Sequence, residues 1–500
     1  MSIVFNLSDQ ERGVRDLIKN ALGSDDTLYA FADEPLYQFN HVKLYNLDIR
    51  TRPDAVTYPR TPEQVAAIVG AAAKAGLAVQ AKSGGHSYCN FSSPDRGIVV
   101  DLRNMKKFSL NTETWRATVG GGMLLGELDD SLYSPHKRAV AHGVCPQVGL
   151  GGHATIGGLG PSSRLFGMAL DHVEEVEVVT ADGQILRASE TQHKDLFWAL
   201  KGAGASFGII TEFVLRTEKA PGETVQYKYS FTSGSWTEMA DVFKTWQRFI
   251  ADPDLTWRFA TTATITTLGL SISGTFYGSN SEFEQLSLKP YFPLRESGSK
   301  TTVRQNWLDV LTHEAEQVAL KLGGGIPAHA YTKTLTFNGS KNNLLDDPGV
   351  DKLFSYIEHA DKGTLIWFLI FDLAGGNTNT VPMEATAYAH RDALYYLQSY
   401  AISDKLISGV SEITKQFLAG VNDVIVNHMK ADRGYTDYGA YPGYVDLELG
   451  AEAQKLYWRD NLEELERIKA IYDPGEVFRN PQSVRPTVAQ SRIATNDVKL

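Results

Sequence analysis

Two cysteines in 500 residues, Cys89 and Cys145, are too few for a disulfide framework. No C-x₂-C or H-x₃-H spacing marks a zinc site, so no metal is expected. The default state of the pair is two packed thiols, with a single disulfide permitted but not implied. No apolar run reaches the roughly 18–20 residues of a membrane helix. The longest, TLIWFLIF from Thr364 to Phe371, reads as a buried strand. An excess of positive charge is also missing. With 48 basic and 59 acidic residues the net charge is −11, which argues against a nucleic-acid partner. The first twenty residues carry acids and bases where a secretory leader would have its apolar core. The expected compartment is therefore the cytoplasm, or outside the cell if a leader has been removed. Sequons at Asn6, Asn90 and Asn338 matter only in the second case.

What is present is ordinary for a globular protein: 43% hydrophobic and 21% charged residues, with neither repeats nor low-complexity blocks. A chain of this length exceeds one hydrophobic core and implies at least two domains. The N-terminal 25 residues suggest a helix and a loop. TPEQVAAIVGAAAKAGL is a helix capped by Thr61 and stopped by Gly76. AVQAK and GIVVDL are strands, RATVGGG is a strand ending in glycines, and LLGELDDSLY is a helix. VEEVEVVTADGQIL is a pair of strands around Ala181–Gly183, followed by the helix HKDLFWALKGAG and the strand GIITEFVLRT. Pro221-Gly222 marks a boundary. Beyond it, alternating strands such as TWRFATTATI and LGLSISGTFYG mix with helices such as SWTEMADVFKTWQRFI, the pattern of an α+β unit with an antiparallel sheet. AEAQKLYWRDNLEELERIKAIYDP is expected to be one helix, stopped by Asp473-Pro474.

Several motifs are weak alone. GAGASFG, Gly202–Gly208, has a dinucleotide-like spacing, but a helix precedes it and a strand follows, the reverse of a Rossmann unit. A Cys145 nucleophile paired with His86 or His153 is conceivable, yet nothing local activates the thiol. Taken in order, SGGHSY around His86, GVCPQVGLGGHATIGGLG with its Cys145 59 residues beyond His86, DLFWALKGAGASFGIITEF, and YDPGEVFRNPQSV form a more specific set. Together they resemble the vanillyl-alcohol-oxidase superfamily, and within it the berberine-bridge-enzyme group and the fungal oligosaccharide oxidases.

That resemblance implies an α+β fold: a PCMH-type FAD-binding domain from residues 1–221 and 441–500, with an antiparallel-sheet substrate domain, 222–440, inserted between them. It implies FAD attached twice, through His86 to the 8α-methyl and through Cys145 to C6. Ser83, Gly84, Gly85 and Ser87 would bring main-chain amides toward the pyrophosphate, the physics of other anion nests. Gly151, Gly152, His153, Gly157, Gly158 and Ile210 would line the cofactor, and Asn480 and Gln482 would close over it. Val148 stands where the family sets oxygen access, and valine there favours an oxidase. Tyr444, in YPGYVD, matches a catalytic base and Asp372 its helper. A phenol with a pKa near ~10 needs such a partner to act as a base. Tyr88, Phe368, Ile370 and Gln398 fall at substrate positions. Gly443 replaces a family asparagine, and Phe368 and Ile370 replace sugar-gripping residues, so the pocket is expected to be less polar than a sugar site. The implied activity is oxidation of a hydroxyl-bearing small molecule, a carbohydrate or another alcohol, with O₂ reduced to H₂O₂. An intracellular berberine-bridge-like oxidoreductase performing oxidative cyclisation or oxidation in secondary metabolism is the alternative. A monomer is expected.

Overall fold

The computed structural model describes residues 9–232, 234–286, 298–317, 327–339, 343–405 and 408–487. Asn6 lies outside them. The N-terminal helix is Asp9–Leu22. The helix Pro62–Lys74 begins as its sequence dictates: the Thr61 side chain accepts from the Gln64 N–H, and proline occupies the first turn. Its apolar residues Val65, Ile68, Val69 and Ala72 recur at helical spacing and pack on Val79, Ile98 and Val100. Those last residues belong to a four-stranded sheet in the order Tyr29–Phe31, Ala55–Thr57, Ile98–Asp101, Val79–Lys82. The last three strands run parallel, and SGGHSY leaves the carboxyl end of the final one.

A second, antiparallel sheet has the order Phe108–Asn111, Arg116–Gly120, Ile209–Arg216, Val173–Val179, Ile185–Ser189. GAGASFG is the turn joining the helix Lys194–Ala203 to the strand Ile209–Arg216, in the order the sequence requires. The third sheet has eight antiparallel strands in the order Gly298–Arg304, Thr224–Phe231, Gly269–Phe276, Phe259–Thr266, Ile366–Leu373, Tyr395–Ile402, Ala330–Phe337, Tyr438–Gly439. Its two faces explain the unbroken apolar run at Ile366–Phe371. Trp367, Leu369 and Phe371 enter a core shared with the helices Trp236–Ile250, Asp347–His359 and Glu412–Arg433. Phe368, Ile370 and Asp372 alternate to the other face.

The C-terminal helix departs from its single-helix expectation. It is two helices, Ala453–Trp458 and Leu462–Tyr472, joined through a turn in which Arg459 has φ 47°. Tertiary anchors override helix propensity there. The Arg459 guanidinium bonds Asp392 at 2.8 Å and Asp437 at 2.9 Å, and the Trp458 indole donates to the Gly202 carbonyl at 3.0 Å. The second helix ends on Asp473 as expected. Asp473 and Lys469 form a fully buried pair at 2.6 Å. The carboxylate also accepts the N–H groups of Val477 and Phe478 at 2.8 and 2.9 Å. Val477 in turn accepts from Val79, so this knot ties the chain's end to the strand that delivers SGGHSY. Asp473→Ala strands a buried ammonium and is expected to cost about 3–5 kcal/mol in urea unfolding. A loss below 1 kcal/mol would show that the pair does not hold the two segments together.

Candidate functional site

A cavity of about 420 Å³ lies between the SGGHSY turn, the Gly143–Pro161 loop and the inner face of the eight-stranded sheet. The two loops meet main chain to main chain. A Cβ on Gly84 would lie 2.4 Å from the Gly149 nitrogen, and one on Gly149 would lie 2.1 Å from the Gly84 nitrogen. Only glycine permits that approach. Ser83 reinforces it by donating to the Gly121 carbonyl at 2.8 Å. His86 and Cys145, distant in sequence, thereby line one cavity.

Burial lowers the His86 pKa to about 4, so its imidazole is neutral at neutral pH. Its ring lies against Tyr45, centroids 4.8 Å apart. Burial raises the Cys145 thiol. Cys89 is buried away from this cavity and points its sulfur at the Val445 carbonyl. Among the described residues, none accepts a hydrogen bond from the main-chain N–H of Gly84, Gly85, His86 or Ser87. Four adjacent amides left free beside a cavity form a nest suited to an anionic group. Across from them, nothing stands within 4 Å of where a Gly152 side chain would begin, so that glycine leaves open space. This donor set fits a diphosphate-bearing cofactor.

Asn90 holds the SGGHSY loop in place. It sits at φ 54° and is 3% exposed. Its carbonyl oxygen accepts from the Tyr45 and Asn46 N–H groups, and its amide donates to the carbonyls of Asn46 and Ile49. The Ser87 hydroxyl closes the same turn by accepting from Cys89 and Phe91.

On the opposite wall the Tyr444 hydroxyl donates to Asp372 Oδ2 at 3.1 Å, and the Thr262 hydroxyl donates to Oδ1 at 2.9 Å. Burial raises both acids. Asp372 is pulled back by its two hydrogen bonds, while Tyr444 is pushed further by the Asp372 charge. Tyr441 packs edge-on against Tyr444 at 5.0 Å and accepts from the Gly158 and Leu159 N–H groups. Gly443 has a steric reason: a Cβ there would lie 2.3 Å from the Tyr441 ring. The Gln398 amide donates to the Tyr88 hydroxyl at 2.8 Å.

Val148, Gly151, His153, Ile210, Ile370 and Asn480 also reach the cavity wall. His153 accepts the Gly143 N–H at 2.8 Å, and burial lowers its pKa to about 3, so it braces the loop as a neutral ring. Gly157, Gly158, Gln482 and Phe368 do not line the cavity. Gly157 lies under Met168, Tyr441 and Tyr388, and Gly158 against Ala169. Both ends of the Gln482 amide are taken, by Tyr457 and by the Asp446 carbonyl. Phe368 packs with Ala330, Ile370 and Tyr400. Sequence reasoning missed Tyr45, Gln226, Thr262, Thr275 and Glu314 on the wall. The alternating threonines of Thr262 and Thr264 were the available signal for one polar face; Glu314 gave none. Among the described residues no acid–histidine–cysteine group is placed to hold a metal, and no helix is long and apolar enough to cross a membrane.

The burial of Asn90 and of Asn338, which is 0% exposed, removes both sequons from any glycosylating enzyme acting on the folded chain. Expressed through a secretory host, the protein should carry no glycan at either, as read by peptide mass mapping. Asn90→Ala should cost about 2–4 kcal/mol, since it leaves buried main-chain groups unpaired. An occupied Asn90 in folded protein would contradict this packing.

Residues 53–189 match the family described as FAD binding domain, and residues 440–485 the family described as berberine and berberine like. The chain is 35% identical to the FAD-linked oxidoreductase sorD of Penicillium rubens over 93% of its own length and 97% of that protein's. It is 33% identical to a xylooligosaccharide oxidase of Thermothelomyces thermophilus over 87% of each. A solved glucooligosaccharide oxidase of Acremonium strictum, described with a 6-S-cysteinyl, 8α-N1-histidyl FAD, superposes with a TM-score of 0.83 at 29% identity, covering 95% of this chain and all of that one.

Proposed function

Because the chain belongs to the berberine-bridge-enzyme-like FAD-linked oxidoreductases, we propose that it oxidises a hydroxyl-bearing small molecule to a carbonyl at this cavity, with Tyr444 and Asp372 handling the proton. The observation that carries the reading is the Tyr444–Asp372 hydrogen bond opening onto the cavity that His86 and Cys145 also line. FAD would be held by the amides of 84–87 and by the loop around Gly152, anchored through His86 at 8α and Cys145 at C6. Bound there, FAD would supply the two-electron acceptor for the hydride and pass the pair to O₂, giving H₂O₂.

The protein's own part is proton handling. Tyr444 directs its hydrogen at Asp372 Oδ2, which leaves an oxygen lone pair for the substrate hydroxyl. As the substrate's proton reaches the Tyr444 oxygen, the tyrosine's own proton passes to Asp372, whose burial-raised affinity suits it to receive one. Thr262 donates to the other carboxylate oxygen, which favours the charged form against the effect of burial. Val148, at the wall beside Cys145, would leave room for O₂. We take the functional unit to be a monomer, checked by light scattering. The chain would divide into a cofactor part, 1–221 with 441–500, and an inserted substrate part, 222–440, a division that limited proteolysis checks. A second reading, a less polar alcohol or an aromatic biosynthetic intermediate, is favoured by Ile370 on the wall where a sugar would need hydrogen bonds.

Acid-denatured protein should retain its flavin on a filter, His86→Ala and Cys145→Ala should each leave one attachment, and intact mass should exceed that of the polypeptide by one FAD. Flavin released to the filtrate refutes the anchors. Tyr444→Phe should lower kcat by about 10²–10⁴-fold in a peroxide assay over sugars, alcohols and aromatics. Thr262→Val removes a bond that lowers the Asp372 pKa, so the acidic limb of the kcat profile should move to higher pH. An unmoved limb would remove Asp372 from the proton path.

A further inference from the structure

The imidazole of His86 is oriented without a hydrogen bond. Neither ring nitrogen has a partner among the described residues, and neither is fully buried in the cavity wall to which the residue belongs. Other histidines of the same half are fixed differently. His142 bonds Asp129 at 2.7 Å, and His153 accepts the Gly143 N–H at 2.8 Å. His172 is held at both nitrogens, by the Ala141 N–H and the Arg216 carbonyl, each at 3.0 Å. A hydrogen bond to one nitrogen ordinarily settles the role of the other. At His86 a ring contact takes that place. The Tyr45 ring lies against it, with centroids 4.8 Å apart and 35° between the planes.

Tyr45 is itself held on every side. It is buried and lines the same cavity. Its N–H donates to Asn90 Oδ1 at 3.0 Å, and its carbonyl accepts the Ala328 N–H at 3.1 Å. Tyr88 packs against its ring at 5.9 Å. Asn90 follows His86 by four residues, so one side chain ties the main chain of Tyr45 to the turn that carries the imidazole. Turning that imidazole about its Cβ–Cγ bond would drive a ring edge into the Tyr45 face. The contact therefore restricts the ring while leaving both nitrogens open.

We propose that Tyr45 is a positioning residue for the attachment of FAD at His86: its ring holds the imidazole in the orientation from which a nitrogen bonds the 8α carbon. The assignment rests on the anchor proposed above and deepens it. In that step an N–C8α bond forms, a C–H bond of the 8α-methyl group breaks, and the imidazole gives up its N–H proton. Two electrons and two protons pass to the flavin and from it to O₂, which leaves as H₂O₂. Tyr45 gains and loses nothing in this balance. Its part is geometric, and the ring rather than the hydroxyl carries it.

The test counts flavin on each anchor separately. Cys145→Ala leaves His86 as the sole anchor, and His86→Ala leaves Cys145. Tyr45→Leu and Tyr45→Phe are placed in both proteins, and their proteolytic peptides are read by mass for FAD on residue 86 or 145. Tyr45→Leu, which fills space without a flat ring, should lower the flavin on His86 about tenfold. Tyr45→Phe, which keeps the ring, should leave it near the parent level. In the His86→Ala protein neither substitution should change the flavin on Cys145, a selectivity that a general loss of structure would not give. Equal loss at both anchors, no loss at His86 with Tyr45→Leu, or a loss there with Tyr45→Phe overturns the proposal. If the leucine variant does not fold, Tyr45→Phe decides alone: full attachment at His86 supports the ring, and loss refutes it. If Cys145→Ala with Tyr45 intact carries no flavin on His86, the anchor itself falls. If that protein is flavinylated and Tyr45→Leu changes nothing, only Tyr45 loses its role.

Discussion

The site depends on one close contact, the main chains of Gly84 and Gly149 lying against each other without a side chain between them. Each loop has its own support. Asn90 knots the first to residues 45–49 by four hydrogen bonds, and His153 braces the second through Gly143. Neither support would bring His86 and Cys145 to one cavity if the loops could not touch. A single methyl group at either glycine would collide with peptide nitrogen rather than with a side chain able to move. The same approach leaves the amides of 84–87 beside the cavity without partners among the described residues, so the geometry that joins the loops also leaves donors suited to an anion.

The other half of the cavity is built on alternation. The five central strands, Thr224–Phe231, Gly269–Phe276, Phe259–Thr266, Ile366–Leu373 and Tyr395–Ile402, give apolar residues to the helices behind and alternate residues to the space in front. Residues separated widely in sequence, Gln226, Thr262, Thr275, Ile370 and Gln398, therefore share a wall, and register fixes the spacing between them. A one-residue slip of Ile366–Leu373 would turn Asp372 into the core and Phe371 into the cavity. The large aromatic cluster behind the sheet, including Trp246, Phe371 and Tyr395, penalises that slip, so packing far from the chemistry holds the carboxylate in position.

Local signals in the sequence carried much of this. The Thr61 cap and the glycine-ended strands each have a short-range cause that is visible in the residues themselves. Motif order pointed to His86, Cys145, Tyr444 and Asp372, all of which line the cavity. Long-range features were not legible. The break at Arg459 comes from Asp392 and Asp437, two acids far away in the chain. The roles of the glycines were only partly readable: glycine signals a close approach but not what approaches, and Gly84 and Gly149 meet each other. Glu314 lies on a helix whose residues look ordinary, and only the packing of that helix over the sheet edge brings it to the wall.

Burial drives Asp372 and Tyr444 alike toward their neutral forms, and a fully neutral pair would have nowhere to put a substrate's proton. The structure opposes this only on the carboxylate, where Thr262 and Tyr444 both donate to the charged form. A single negative charge is thus held by three oxygen-bearing groups in hydrogen-bonded sequence. The desolvation cost is that of one ion rather than two. In the proposed oxidation the incoming hydroxyl would extend this chain by one member. Its proton would enter at Tyr444 while the charge changes at Asp372. The tyrosine would then need no long-lived phenolate, and its raised pKa would cease to be an obstacle to its acting as the base.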